Sequence, residues 1–183
     1  MEETQQQPPP TTAWQRLRQN RAVSWGIDIA IIAVVFFAIS AWQTRDLLGG
    51  GEQSPAFALE QLGGGHVASA QLEGKKTVLV FWAPWCTVCG AESGTISSLA
   101  ESMGDDVNVL SVALEYEDIK DVQGFVDEHG VDYPVLLGGR DMVKDWNVAA
   151  FPTIYILDEE GKIAHSMVGF TTSFGFRWRL WLA

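Results

Sequence analysis

Two cysteines occur in the 183-residue chain, Cys86 and Cys89, within Trp85-Cys86-Thr87-Val88-Cys89. A pair at this spacing can close a disulfide when a helix begins between them, because the first turn brings side chains at i and i+3 to one face. A thiol at the start of that helix meets free backbone N–H groups and the positive end of the helix dipole, which favour its thiolate. In Cys-x-x-Cys sites the pKa of such a thiol falls to about 3.5–7.5 from about 8.5. The spacing therefore points to thiol–disulfide exchange, with Cys86 attacking and Cys89, one turn inside the helix, resolving the mixed disulfide. Other uses of the pair stay open. A structural disulfide over two intervening residues would constrain the unfolded chain little. Zinc would need two further ligands, and His66, His129 and His165 are scattered without a partner at metal-binding spacing. Two thiolates could still take up copper transiently, so a copper-handling binding module without redox turnover is the alternative function.

The pair needs a strand before it and a helix after it, and the sequence supplies both. Thr77–Trp82, TVLVFW, is a continuous β-branched and aromatic run bounded by Lys75-Lys76 and Ala83-Pro84, the pattern of a central strand covered on both faces. Ala91–Met103 reads as a helix ending at Gly104. The alternation continues with a strand at Val107–Leu114, a helix over Asp118–Glu128 stopped by Gly130, a short strand at Tyr133–Leu137 and a helical turn at Asp141–Trp146. Thr153–Leu157 and Ile163–Val168 form an antiparallel hairpin with Gly161 in its turn, and Ser173–Leu182 forms a helix capped by Ser173. Upstream, Phe57–Leu59 and His66–Ala68 are candidate short strands. The fold class is α/β, a mixed central sheet with helices on both faces.

Ahead of this domain, Trp25–Trp42 is an 18-residue apolar run with one charge, Asp28. As a helix it spans roughly 27 Å, close to the hydrocarbon core of a bilayer. Arg16, Arg18 and Arg21 precede it, so the positive-inside bias puts the N-terminus in the cytoplasm and the rest of the chain outside. Residues 1–24 read as a disordered cytoplasmic tail, 25–42 as a transmembrane anchor, 43–54 as a Gly- and Ser-Pro-containing linker, and 55–183 as the folded domain. A cleaved signal peptide and a buried core helix are the competing readings of the run.

The segment Phe81-Trp82-Ala83-Pro84-Trp85-Cys86-Thr87-Val88-Cys89 resembles the active site of the thioredoxin superfamily. More narrowly, the domain resembles the membrane-anchored bacterial TlpA-like proteins, and among them the protein disulfide oxidoreductases associated with suppression of copper sensitivity. The similarity rests also on Ser54-Pro55-x-Phe57-x-Leu59, Gly74-Lys75, Glu92, and Phe151-Pro152-Thr153 followed by Ile156-Leu157-Asp158 and Gly161. It implies a thioredoxin-like fold, a redox-active Cys86–Cys89 disulfide, a cis bond before Pro152 and a substrate-docking edge at Phe151. It implies no bound organic cofactor and no metal. The partners it implies are periplasmic cysteine-containing proteins and a membrane electron donor or acceptor. Two positions depart from thioredoxins proper. Val80 stands where they carry a buried acid, which leaves Glu92 as the candidate base for Cys89; the plainer role of Glu92 is to complement the helix dipole. Thr87-Val88 between the cysteines leaves the direction of electron flow open. Trp85 lines the substrate surface or simply packs.

Composition narrows the partners. A formal charge of −11 argues against nucleic acid, and 47% hydrophobic with 19% charged residues fits one globular core better than a disordered or polytopic chain. The expected setting is the inner membrane of a Gram-negative bacterium, with a single pass and the catalytic domain in the periplasm.

Overall fold

The computed structural model describes residues 21–44 and 47–183; most of the expected N-terminal tail lies outside the described residues. The chain divides into two compact units, Met1–Trp42 and Gln43–Ala183. The first contributes helix α1, Arg21–Thr44, which extends past the apolar run at both ends. Trp25, Ile29, Ile32 and Val34 on it are exposed. Among the described residues no helix is long and apolar enough to cross a membrane.

The second unit is built on seven strands: β1 Ala58–Gln61, β2 His66–Ala68, β3 Lys76–Trp82, β4 Val107–Ala113, β5 Val135–Leu137, β6 Thr153–Leu157 and β7 Ile163–Val168. Their order across the sheet is β2-β1-β5-β4-β3-β6-β7. β3 pairs in parallel with β4 over seven residues and antiparallel with β6, and β4 pairs in parallel with β5. β1–β2, β1–β5 and β6–β7 are antiparallel, so the sheet is mixed. Among the described residues four α-helices complete the unit: α2 Thr87–Met103, α3 Ile119–His129, α4 Arg140–Asp145 and α5 Ser173–Leu182.

Strand alternation sorts the core into two faces. Leu79 and Phe81 of β3 join Tyr155 and Leu157 of β6 with Met142 of α4 and Trp146 just after it. Val78 and Val80 point the other way, with Ile154 and Ile156, onto Ile96 and Leu99 of α2 and Phe176 and Leu180 of α5. At the C-terminal end of β3 a third cluster joins Trp82, Ala83 and both cysteines to Val122 and Phe125 of α3. A run buried on both faces, as TVLVFW is, needs this double cover.

Local signals explain most of the element ends. Gly104 and Gly130 terminate α2 and α3 with φ of 52° and 61°, where a side chain would be strained. Asp118 caps α3 by accepting from Lys120 N–H, and Asp121 returns the contact to Asp118 N–H. Two expectations need correction. α5 is capped by Thr172, whose hydroxyl oxygen accepts from Gly175 N–H, and not by Ser173. The stretch read as a linker is in part packed: Leu47 is buried in the core, Gly51 N–H donates to Ile163 O, and Ile163 N–H donates to Glu52 O. Its glycines make a tight path along β7, a use of glycine that sequence alone does not distinguish from a flexible tether.

Candidate active site

The turn after β3 is built from short backbone bonds. Cys86 N–H donates to Ala83 O at 3.0 Å, and Cys89 N–H and Gly90 N–H both reach Cys86 O. Cys86 is thereby the N-cap of α2, in extended conformation, and its Sγ accepts from Cys89 N–H at 3.2 Å. An N-cap normally offers a side-chain oxygen to these donors; here the acceptor is sulfur, and the donor that satisfies it belongs to the second cysteine. Cys86 and Cys89 are joined as a disulfide. Their exposures are 6% and 4%, so the disulfide is nearly covered and its two sulfurs are not distinguished by overall accessibility.

What surrounds the pair differs from side to side. Trp85, next to Cys86, is 64% exposed, and its ring meets that of Phe151 edge-on at 5.5 Å. The Phe151–Pro152 bond is cis, and Pro152 is buried at the start of β6. Trp85 and Phe151, 66 residues apart in sequence, are thus brought together beside Cys86, with the Trp85 ring open to solvent and Pro152 directly after Phe151. On the inner side Trp82 stacks on Phe125 at 4.1 Å beneath the pair, and Phe125 in turn touches the His129 ring at 4.4 Å. The imidazole packs so close to Gly90 that a Cβ there would lie 2.5 Å from it. Neither contact was visible in the sequence, although a glycine directly after the second cysteine is the kind of signal that marks a close approach.

Glu92 lies one helical turn beyond Cys89, on the same face of α2, and is 0% exposed. Its Oε1 accepts from Thr171 N–H at 2.6 Å, while Oε2 is buried without a hydrogen-bond partner. Burial pushes its pKa up from 4.5 to about 7, against the smaller lowering effect of the Thr171 bond. The same carboxylate acts on Tyr133, whose phenol is raised first by burial and then by Glu92 and Asp132. The group is therefore not a solvent-facing carboxylate complementing the dipole. Among the described residues no hydrogen bond joins it to either sulfur, and no group of three His, Cys, Asp or Glu side chains is arranged to hold a metal ion. Thr171 was missed because it contributes only backbone.

Residues 51–166 match the family described as AhpC/TSA. The chain belongs to this family. It is 35% identical over 124 residues to the thioredoxin-like protein YneN of Bacillus subtilis, covering 67% of this chain and 73% of the relative. It is 30% identical over 167 residues to the thiol-disulfide oxidoreductase ResA of Oceanobacillus iheyensis, covering 86% of each. Among solved structures, the exposed lipoprotein thioredoxin of Streptococcus pneumoniae aligns with a TM-score of 0.62 at 28% identity, over 69% of this chain and 98% of the other. A thiol:disulfide interchange protein of the DsbE kind from Chlorobium tepidum aligns at 0.67 and 22% identity, over 73% of this chain and 96% of the other, a likeness of fold. The domain is thioredoxin-like, and with its close cysteine pair this AhpC/TSA member is an enzyme of the thiol-disulfide oxidoreductase type.

Proposed function

We propose that the protein exchanges dithiol and disulfide with cysteine-containing proteins at the outer face of the cytoplasmic membrane, the periplasm of a Gram-negative cell. The observation that carries this reading is Cys86 at the N-cap of α2, with Cys89 N–H directed at its sulfur and the Trp85–Phe151 surface open beside it. In the reducing direction the Cys86 thiolate attacks a substrate disulfide; a Cys86–substrate bond forms as the substrate S–S bond breaks, and one substrate thiolate leaves. Cys89 gives up its proton and attacks Cys86, closing the enzyme disulfide and releasing the second substrate thiolate. Two electrons pass to the substrate, and the reverse sequence oxidises a dithiol. Glu92, poised near neutrality and on the face of α2 that carries Cys89, is the acceptor for the Cys89 proton. Trp85, Phe151 and Pro152 form the docking surface, where an extended substrate segment lies along the Phe151 edge.

Residues 25–42 anchor the enzyme, with the N-terminus in the cytoplasm. Support comes from the sequence alone, from the 18-residue apolar run and the arginines before it; the described part of α1 does not by itself reach the length and apolarity of a span. The motifs shared with TlpA-like proteins favour that subtype, recharged by a membrane partner. No observation favours the copper-binding alternative. Turnover with a disulfide-bonded protein tests the reading: wild type should catalyse exchange and Cys86→Ser should not. Stoichiometric copper uptake without exchange would overturn it.

A further inference from the structure

We propose that the exposed face of α5 seats on an anionic lipid surface. The helix is apolar on two opposite sides. Phe176 and Leu180 are buried against β3, β6 and α2. On the other side Phe174 and Trp181 are 76% and 72% exposed, and Trp178 and Leu182 are about half exposed. At about 100° per residue these four side chains fall in an arc of about 100°. Arg177 lies beyond one border of that arc and Arg179 beyond the other. Phe170, just before the helix, is exposed as well, and the Trp178 and Trp181 rings stand 5.3 Å apart. A helix apolar all round is normally covered on both sides, and this one is covered on one.

Charge selects the occupant. The chain carries −11, yet α5 holds two arginines and no acid. Two copies meeting through this stripe would bring the arginines of one α5 against those of the other. A bilayer with anionic headgroups suits the same features: indoles settle at the interface, and the exposed Arg177 lays its stem along the apolar boundary with its guanidinium at the phosphates, while Arg179, half-buried and donating to Gly175 O at 3.0 Å, adds positive charge at the other border. A ten-residue helix binds weakly by itself, and a neighbouring anchor would raise its effective concentration at the surface. To that extent the inference rests on the membrane reading above; it is independent of the thiol chemistry. Since Thr171, two residues before α5, is bound to Glu92, seating α5 would also orient the site relative to the bilayer.

The test uses the full chain incorporated into nanodiscs of phosphatidylglycerol or of phosphatidylcholine, each with brominated acyl chains. Subtracting the fluorescence of a Trp178→Phe/Trp181→Phe variant isolates the two indoles from the other tryptophans. The expected result is at least twofold stronger quenching in phosphatidylglycerol, reduced by high salt and by Arg177→Glu/Arg179→Glu. Equal quenching in both lipids, or none, overturns the inference, as does a dimer that shields the indoles without lipid. A chain that fails to join phosphatidylglycerol discs overturns both this inference and the anchor. Disulfide exchange by the same variants in detergent should match wild type; a loss there would fault the thiol reading instead.

Discussion

Glu92 and the backbone of Thr171, 79 residues apart, meet in a 2.6 Å hydrogen bond that leaves the second carboxylate oxygen buried and unpaired. One donor is too few to stabilise a buried charge, so burial dominates and the acid holds its proton to about pH 7.

The consequence for stability has a definite sign. Between pH 4.5 and 7 the folded state retains a proton that the unfolded state releases, so this contribution to stability is full below about 4.5 and is lost as pH rises through 7. Glu92→Gln cannot ionise and should show no such loss. Relative to wild type it should gain up to about 3 kcal/mol at pH 8 and little at pH 4.5. Urea unfolding of both oxidised proteins across this range checks it, and parallel profiles would refute the buried acid.

The same variant should be slower in exchange. Without a proton acceptor on α2, the resolving step by Cys89 should slow by about 10²-fold or more at neutral pH, while attack by Cys86 should not. Single-turnover reduction of a protein disulfide separates the steps; unchanged resolution would remove Glu92 from the chemistry.

Cys86 should be the reactive thiol once the disulfide is reduced. The Cys89 N–H and the start of α2 favour its thiolate, so its iodoacetamide rate midpoint should lie below the ordinary value of about 8.5. Cys89→Ser should accumulate mixed disulfides with substrate through Cys86. Mass spectrometry of the alkylated, reduced protein checks the order, and equal labelling of both thiols would contradict it.

Trp85 is largely exposed and meets the Phe151 ring edge-on, and on the proposed docking surface it would contact the substrate polypeptide. Trp85→Ala should raise KM for a protein disulfide about tenfold, a loss of about 1.4 kcal/mol, and leave the rate with a small aromatic disulfide unchanged. Equal effects on both substrates would place Trp85 in the packing of the site.

Gly90→Ala should destabilise by about 1–3 kcal/mol, because the new methyl would meet the His129 imidazole that packs on Phe125. Combining it with His129→Ala should cost less than the two changes added together. Additive losses in denaturant unfolding would show that the contact is not the cause.

The sequence by itself determined the cysteine pair at a helix start, the doubly covered strand before it and the order of most elements. These depend on neighbours a few residues apart. Thr77–Trp82 could be read as central because continuous apolar character needs cover on both faces, and Asp118 and Gly130 mark the ends of α3 by local backbone chemistry. Glu92 was legible as a candidate, but its two roles, dipole complement and buried base, could not be separated there.

Only the tertiary structure shows that Glu92 is buried rather than solvent-facing, because desolvation depends on what else packs around a group. The Thr171 backbone donates to Glu92, and His129 packs on Gly90, through chain folding that no local spacing encodes. Leu47 likewise enters the core from a stretch whose glycines suggest a tether. In α5, Phe, Trp and Leu alternate with arginine in a way that marks a helix yet does not say which apolar side the sheet will cover. Packing of Phe176 and Leu180 against the core settles that choice and leaves Phe174, Trp178 and Trp181 facing outward.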